Sequence, residues 1–346
     1  MRRSAFACVG PAWNRMVETC FRPFRFGIWA RLALIAILTG EVGGGGGNWG
    51  TNMRGSDGRG PSIHLDPRIG NFLATAAPIL IVLGLLFVLV LVYLNARARF
   101  VLMDSVIERT CRLGDMWGRW RENAKPYFAF NLGLALIGLS VALLVGIQFV
   151  AKLRAAGLFT GARVHIFELL SQIAGLVMLA VFVSLVLTVV QIFARDFLVP
   201  VLGLERPTLE GAWQRLRGIM AAEPGEFIVY LVAKVVLNIL AFVLRIFILV
   251  FCAVLLAIPL AICIGIAVVV MKGSALVGIV GGVLVALVAL PAFLFVLGFL
   301  HVPFAVFFEA FALEFFADRF PPLAAVLYPA PPIPAAPMNT VPEPAI

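Results

Sequence analysis

Leu169 to Ala194 reads LLSQIAGLVMLAVFVSLVLTVVQIFA, 26 positions without one Asp, Glu, Lys or Arg. As a helix it would be about 39 Å long, enough to cross the roughly 30 Å hydrocarbon layer of a bilayer. Backbone amides have no water partners in lipid, so a crossing segment must satisfy them internally, as a helix does. Four further runs share the property: Phe72 to Leu94, Pro126 to Ala151, Ile246 to Met271 and Gly273 to Phe308. Of the 346 residues 62% are hydrophobic and 13% charged, and the mean hydropathy is +1.05. Soluble domains carry about 25% charged residues, so this surplus of apolar surface does not fit one aqueous core. The fold class is therefore all-α, a polytopic transmembrane helical bundle.

The basic start, Met1 to Pro11, is interrupted by Pro11 and Asn14 before any apolar segment long enough for a secretory leader, and no cleaved signal is expected. Cys8, Cys20, Cys111, Cys252 and Cys263 form no CxxC pair, and His64, His165 and His301 lie far apart. Neither pattern suits a zinc site or a disulfide framework. No Ser-His-Asp set, paired carboxylates or nucleotide loop can be assembled, so no enzymatic activity and no cofactor is expected. The net charge of +9 lacks the Lys/Arg runs of a nucleic-acid partner. Contact with a bilayer carrying anionic headgroups is the expectation instead.

Orientation follows from the basic residues. Phe26 to Thr39 is apolar but short and carries Arg31, so it could cross or lie in the interface. Taken as a crossing, it leaves seventeen Lys and Arg on the side of the N-terminus and seven on the other. The positive-inside rule then places the N-terminus in the cytoplasm of a cell with its inner membrane as the host. The stretch 227 to 308 holds two long helices or four short ones, with Pro259 and Pro291 as break points. Either choice keeps the C-terminus cytoplasmic, and six crossings are expected. Residues 1–320 form one transmembrane domain. Residues 43–70, rich in Gly, Asn and Ser, predict a flexible external loop, and 321–346 a Pro-rich disordered tail that cannot be helical.

Ala12-Trp13-Asn14-Arg15 recurs as Met116-Trp117-Gly118-Arg119-Trp120-Arg121 and again as Ala212-Trp213-Gln214-Arg215-Leu216-Arg217. Leu113, Met116, Trp117 and Trp120 fall at i, i+3, i+4 and i+7, as do Leu209, Ala212, Trp213 and Leu216. One face of each short helix is thus apolar. This predicts cytoplasmic amphipathic helices lying in the headgroup plane, with Trp13, Trp117, Trp120 and Trp213 at the lipid boundary. Arg15, Arg119, Arg121, Arg215 and Arg217 would reach phosphate. The recurrence suggests a unit of interfacial helix, outward crossing and inward crossing used three times, at 12–97, 116–195 and 212–310.

Arg22-Pro23-Phe24-Arg25-Phe26-Gly27 with the Gly-rich loop after it, Asp196-Phe197-Leu198-Val199-Pro200, and Ala212-Trp213 before Glu223-Pro224-Gly225-Glu226-Phe227 resemble motifs of uncharacterised bacterial multi-pass membrane proteins. These in turn are similar to the membrane domain fused to some glycerophosphodiester phosphodiesterases. The resemblance covers most of residues 12–320 and implies a fold and a location. The chain has no segment to house the family's soluble catalytic barrel, so no activity is implied.

Charges inside apolar segments are costly. Arg31, Lys234, Arg245 and Glu309 are the candidates, with Lys234 expected near Glu309 and Arg245 near Glu41 or Glu168. Structural pairing or snorkelling is the plainer reading of them, and an ion pathway the functional one. Two functions remain open. One is a non-enzymatic scaffold or membrane-organising protein, with a protein partner at the cytoplasmic helices or tail. The other is a transporter or channel running between the repeated helix pairs, which would gather polar side chains around a cavity.

Overall fold

The computed structural model describes residues 3–40, 67–155, 166–271 and 275–329. Its regular structure, among these residues, is helical throughout. In chain order the helices are α1 (Val9–Cys20), α2 (Phe26–Leu38), α3 (Pro67–Glu108), α4 (Leu113–Arg119), α5 (Ala124–Ala155) and α6 (Ile166–Phe193). A π-helical turn, Ala194–Leu198, links α6 to α7 (Val199–Leu204). There follow α8 (Leu209–Ala222), α9 (Pro224–Met271), α10 (Ala275–Ala317) and α11 (Pro321–Leu327).

Among the described residues, five helices carry segments long and apolar enough to cross a membrane: Val82–Glu108, Ala124–Arg154, Ile173–Leu204, Pro224–Phe251 and Phe295–Ala317. The sixth expected crossing, α2, is the shorter apolar helix Phe26–Leu38. Helix α2 has 13 residues and spans about 20 Å, short of the hydrocarbon thickness. It packs between α3 and α10. The Asn95 side chain donates to the Leu38 carbonyl at 3.0 Å, and a Cβ on Gly298 of α10 would stand 2.8 Å from Ile37. The 227–308 stretch is two long helices, since α9 continues through Pro259 and α10 through Pro291.

The packing is uneven along the helices. At one end, called the base below, the ends of α3, α7, α9 and α10 meet α1, α2, α4, α8 and α11 around one core. Tyr230 stacks on Phe311 with ring centroids 5.2 Å apart, and Phe197 lies against Phe316 at 5.1 Å. Ala96, Ala98, Ala194, Ala212, Ala310 and Ala312 are fully buried there, small residues that let helix backbones approach closely. Away from the base, Leu86, Leu144, Phe182 and Phe247 are exposed, as apolar side chains that face lipid must be.

Two boundaries differ from the sequence reading. Helix α3 already begins at Pro67, inside the expected 43–70 loop, whose other residues 43–66 lie outside the described ones. The stretch after Phe320 is helical over Pro321–Leu327. Its prolines occupy the first helical positions, where no backbone N–H is required, and Leu323 and Leu327, one turn apart, are buried in the core. The rest of the expected tail, 330–346, lies outside the described residues.

Candidate functional site: a buried charge cluster at the base

The π-helical turn carries Arg195 and Asp196 into the interior, and single π-turns of this kind are frequent at functional sites. Asp196 is 2% exposed and accepts hydrogen bonds from three directions. The Tyr230 hydroxyl of α9 donates to it at 2.8 Å, the Lys234 ammonium one turn further along α9 pairs with the same oxygen, and Arg195 Nε lies 3.2 Å from the other oxygen. The buried carboxylate of Glu309, from α10, lies within electrostatic range of Arg99 of α3, Asp196, Arg195 and Lys234. Arg99 also donates to the Thr39 carbonyl at 2.6 Å. Three cations and two carboxylates are thus taken out of water together, which is tolerable only when they neutralise one another.

Of the four intramembrane charges singled out from the sequence, the structure brings two into this cluster. Lys234 pairs first with Asp196, correcting the expected Glu309 partner, although Glu309 stands in the same group. Arg245 lies elsewhere, its guanidinium 4.8 Å from the centre of the Phe304 ring. Its expected partners, Glu41 and Glu168, fall outside the described residues and side chains. Arg31 is exposed and donates to the Cys111 carbonyl at 2.9 Å.

The short helices present their apolar faces mainly to protein, which corrects part of the lipid-interface assignment. Trp120 is buried, stacks on Phe100 with centroids 5.7 Å apart and donates to Asp104 at 2.9 Å. Arg15 is 4% exposed and its Nε donates to Glu314 at 2.9 Å. Trp117 and Trp213 are half-buried, the first under Arg97 and the second 5.6 Å from the Phe130 ring. Trp13 is exposed, with only an edge contact to Phe307. Arg121 and Arg217 are exposed. Arg119 bridges Asp104 and Glu108, each at 3.0 Å, and Arg215 stands 3.7 Å from Glu205.

Two clefts open at the base. One of about 330 Å³ is lined by Gln214, Arg215, Gly218, Ile219, Ala222 and Arg319. The other, about 230 Å³, lies between α1 and the end of α10 and includes Arg3, Arg15, Arg109, Glu18, Glu314 and Tyr328. No three His, Cys, Asp or Glu side chains come together in metal-binding geometry among the described residues.

Long apolar helices joined at a charged, close-packed base define a multi-pass α-helical membrane protein. A family model described as a family of unknown function (DUF7544) matches residues 3–326, and the chain belongs to that family. The match carries no link to the phosphodiesterase-associated membrane domain. No curated protein matches the chain, and no solved structure does.

Proposed function

We propose that this chain is a non-enzymatic integral membrane protein that organises its surroundings: a rigid cytoplasmic base from which helical stems extend into the inner membrane. The observation that carries this is the separation of Lys234 from Arg245. A path through the protein should bring them to one cavity, whereas Lys234 is enclosed by Asp196 and Tyr230 and Arg245 rests on Phe304. The orientation rests on the excess of basic residues at the base, and both termini would be cytoplasmic. Exposed Arg112, Arg121, Arg206 and Arg217 suit anionic headgroups, each worth about 1 kcal/mol near such a surface. The three-unit organisation belongs to this reading, since a short helix followed by two long ones occurs in α4–α5–α6 and α8–α9–α10, and α1–α2–α3 follows the same order with a 13-residue α2 in the place of the first long helix.

The test is reconstitution into vesicles with and without anionic lipid. The expected results are no proton or potassium flux above that of empty vesicles, and preferential retention of anionic lipid that falls when Arg121 and Arg217 are changed to Gln. The π-turn with its buried Asp196–Lys234 pair favours a second reading, an ion pathway. Flux abolished by Asp196→Asn would replace the first reading with that one.

A further inference from the structure

We infer that the chain is a closed ring of three equivalent units, in which α1 docks on α10 as each later short helix docks on the inward helix before it. The inference rests on the three-unit reading and supplies its register. Each inward helix ends on an acid followed by Arg: Glu108-Arg109, Glu205-Arg206 and Asp318-Arg319. Arg109 and Arg206 share an uncommon backbone, with φ of 55° and 51°, and are the non-glycine residues of positive φ among the described ones. Such left-handed residues close helices at the C′ position, usually as Gly, so two arginines doing so at matched places is a specific coincidence.

Counting back from that arginine aligns the charges. Ten residues earlier stand Arg99, Asp196 and Glu309, all three buried and all three members of the central cluster. Five residues earlier stand Asp104, Val201 and Glu314, and one earlier Glu108, Glu205 and Asp318. The arginine of the Trp-x-Arg motif then meets at least one of these two acidic positions at every seam. Arg119 takes both acids of the first unit, Asp104 and Glu108. Arg215 takes Glu205, its second position being Val201. Arg15, of the first unit, takes Glu314 of the last one, while Arg3 takes Asp318 at 3.2 Å. The seam between first and last units is therefore the same contact closed without a covalent link.

The ring gives the buried cluster a meaning. Arg99, Asp196 and Glu309 occupy one position repeated around a pseudo-threefold axis, and Arg195 and Lys234, both paired with Asp196, add the further cations that offset the two acids there.

The test is a full-length circular permutant that runs from Pro207 to Ile346 and continues from Met1 to Arg206. The Arg3 guanidinium lies 3.2 Å from the Tyr328 hydroxyl, so the two ends of the described chain meet at the base and joining the termini has only a short gap to bridge. The permutant is expected to insert, to elute as one species in detergent and to melt within about 5 °C of the native chain. In the unpermuted chain, Arg15→Glu and Glu314→Arg should each lower the melting temperature, and the double variant should recover at least half of the larger loss. A permutant that fails to insert, or a double variant with no recovery, overturns the ring. The native chain's behaviour in vesicles judges the membrane-organising reading separately.

Discussion

Arg15 and Glu314 stand 299 positions apart in the chain and 2.9 Å apart in space. Both are almost wholly buried, at 4% and 2% exposure. Arg15 also reaches the Leu327 carbonyl at 3.4 Å, and the Tyr328 hydroxyl donates to the second Glu314 oxygen, so one carboxylate ties α1, α10 and α11. Its second guanidinium arm, Nη1, has no hydrogen-bond partner, which leaves Glu314 as the dominant compensation for the buried charge. Removing Glu314 leaves the buried Arg15 guanidinium without its carboxylate, at a cost of about 3–5 kcal/mol, whereas Glu314 without Arg15 would keep Arg3 at 3.7 Å. Glu314→Ala should therefore shorten the life of the folded protein in detergent far more than Glu18→Ala, whose carboxylate pairs with Arg109 at the surface. Thermal unfolding of the two variants side by side decides it; equal losses would contradict the assignment.

The Arg3–Asp318 pair is the seam's pH-sensitive part. Burial pushes the Asp318 carboxyl up, but the Arg3 backbone N–H and guanidinium together bring it below its ordinary value. A folded-state value below the unfolded one means the contribution is present above the unfolded carboxylate value, about 3.9, and disappears as pH falls through the lower folded value. Arg3 is 36% exposed, so screening limits the gain to about 1 kcal/mol or less. Asp318→Asn should melt below the native chain from pH 5 upwards, with the gap closing below about pH 4. A gap that widens with acid would reverse the sign and refute the assignment.

Three thiols report on the packing of the base. Burial raises Cys8 to about 11 and Cys20 to about 12, and raises Cys111 as well. Thiolate, the reactive form, is scarce at pH 8 for such groups, and access is closed besides. Peptide-resolved mass spectrometry after maleimide treatment at pH 8 should find these three unmodified in the native protein and fully modified in SDS. Rapid native labelling of Cys20 would mean that α1 does not stay docked.

How much of this was legible depended on what each residue's signal resolves. The long charge-free runs specify crossing helices because nothing else satisfies a backbone in lipid, and α5 and α6 follow that rule. An apolar face at helical spacing does not say whether lipid or protein covers it. Trp120 and Arg15 were therefore assigned to the interface, though Phe100 and Glu314 cover them. Asp196 lay just past the end of its charge-free run and drew attention only as part of a motif. The signal for it existed: an acid and Lys234 on consecutive crossings at similar depth. Proline content concealed α11, although Leu323 and Leu327 already had helical spacing.

Gly298 marks a close approach of α2 to α10. A Cβ there would stand 2.8 Å from two side-chain carbons of Ile37 and 3.0 Å from the Ala33 carbonyl oxygen. Gly298→Ala should destabilise by about 1–3 kcal/mol through overpacking, despite alanine's better helix propensity. Ile37→Ala should restore part of that loss and no more, because the backbone oxygen remains in the way. Melting temperatures of the two single variants and the double variant measure this, and full tolerance of Gly298→Ala would place α2 farther from α10.

The Asp196–Lys234 pair separates a structural lock from a working site. Lys234→Met removes the cation nearest to a carboxylate that is 2% exposed, so folded yield should collapse, with a cost of about 3–5 kcal/mol. In Asp196→Asn with Lys234→Met both charges of the pair are gone, and Tyr230 can still donate to the asparagine oxygen. Replacing both members of a buried pair is often close to neutral, so the double variant should fold far better than Lys234→Met alone. Arg195 and Arg99 would then face Glu309 with one carboxylate fewer, which predicts incomplete recovery, improved further by adding Arg195→Gln. Folded yield and melting temperature of the three variants measure the sequence of rescues. If the double variant folded no better than Lys234→Met, Lys234 would owe its place to something other than neutralising Asp196, and the charge lock would have to be abandoned.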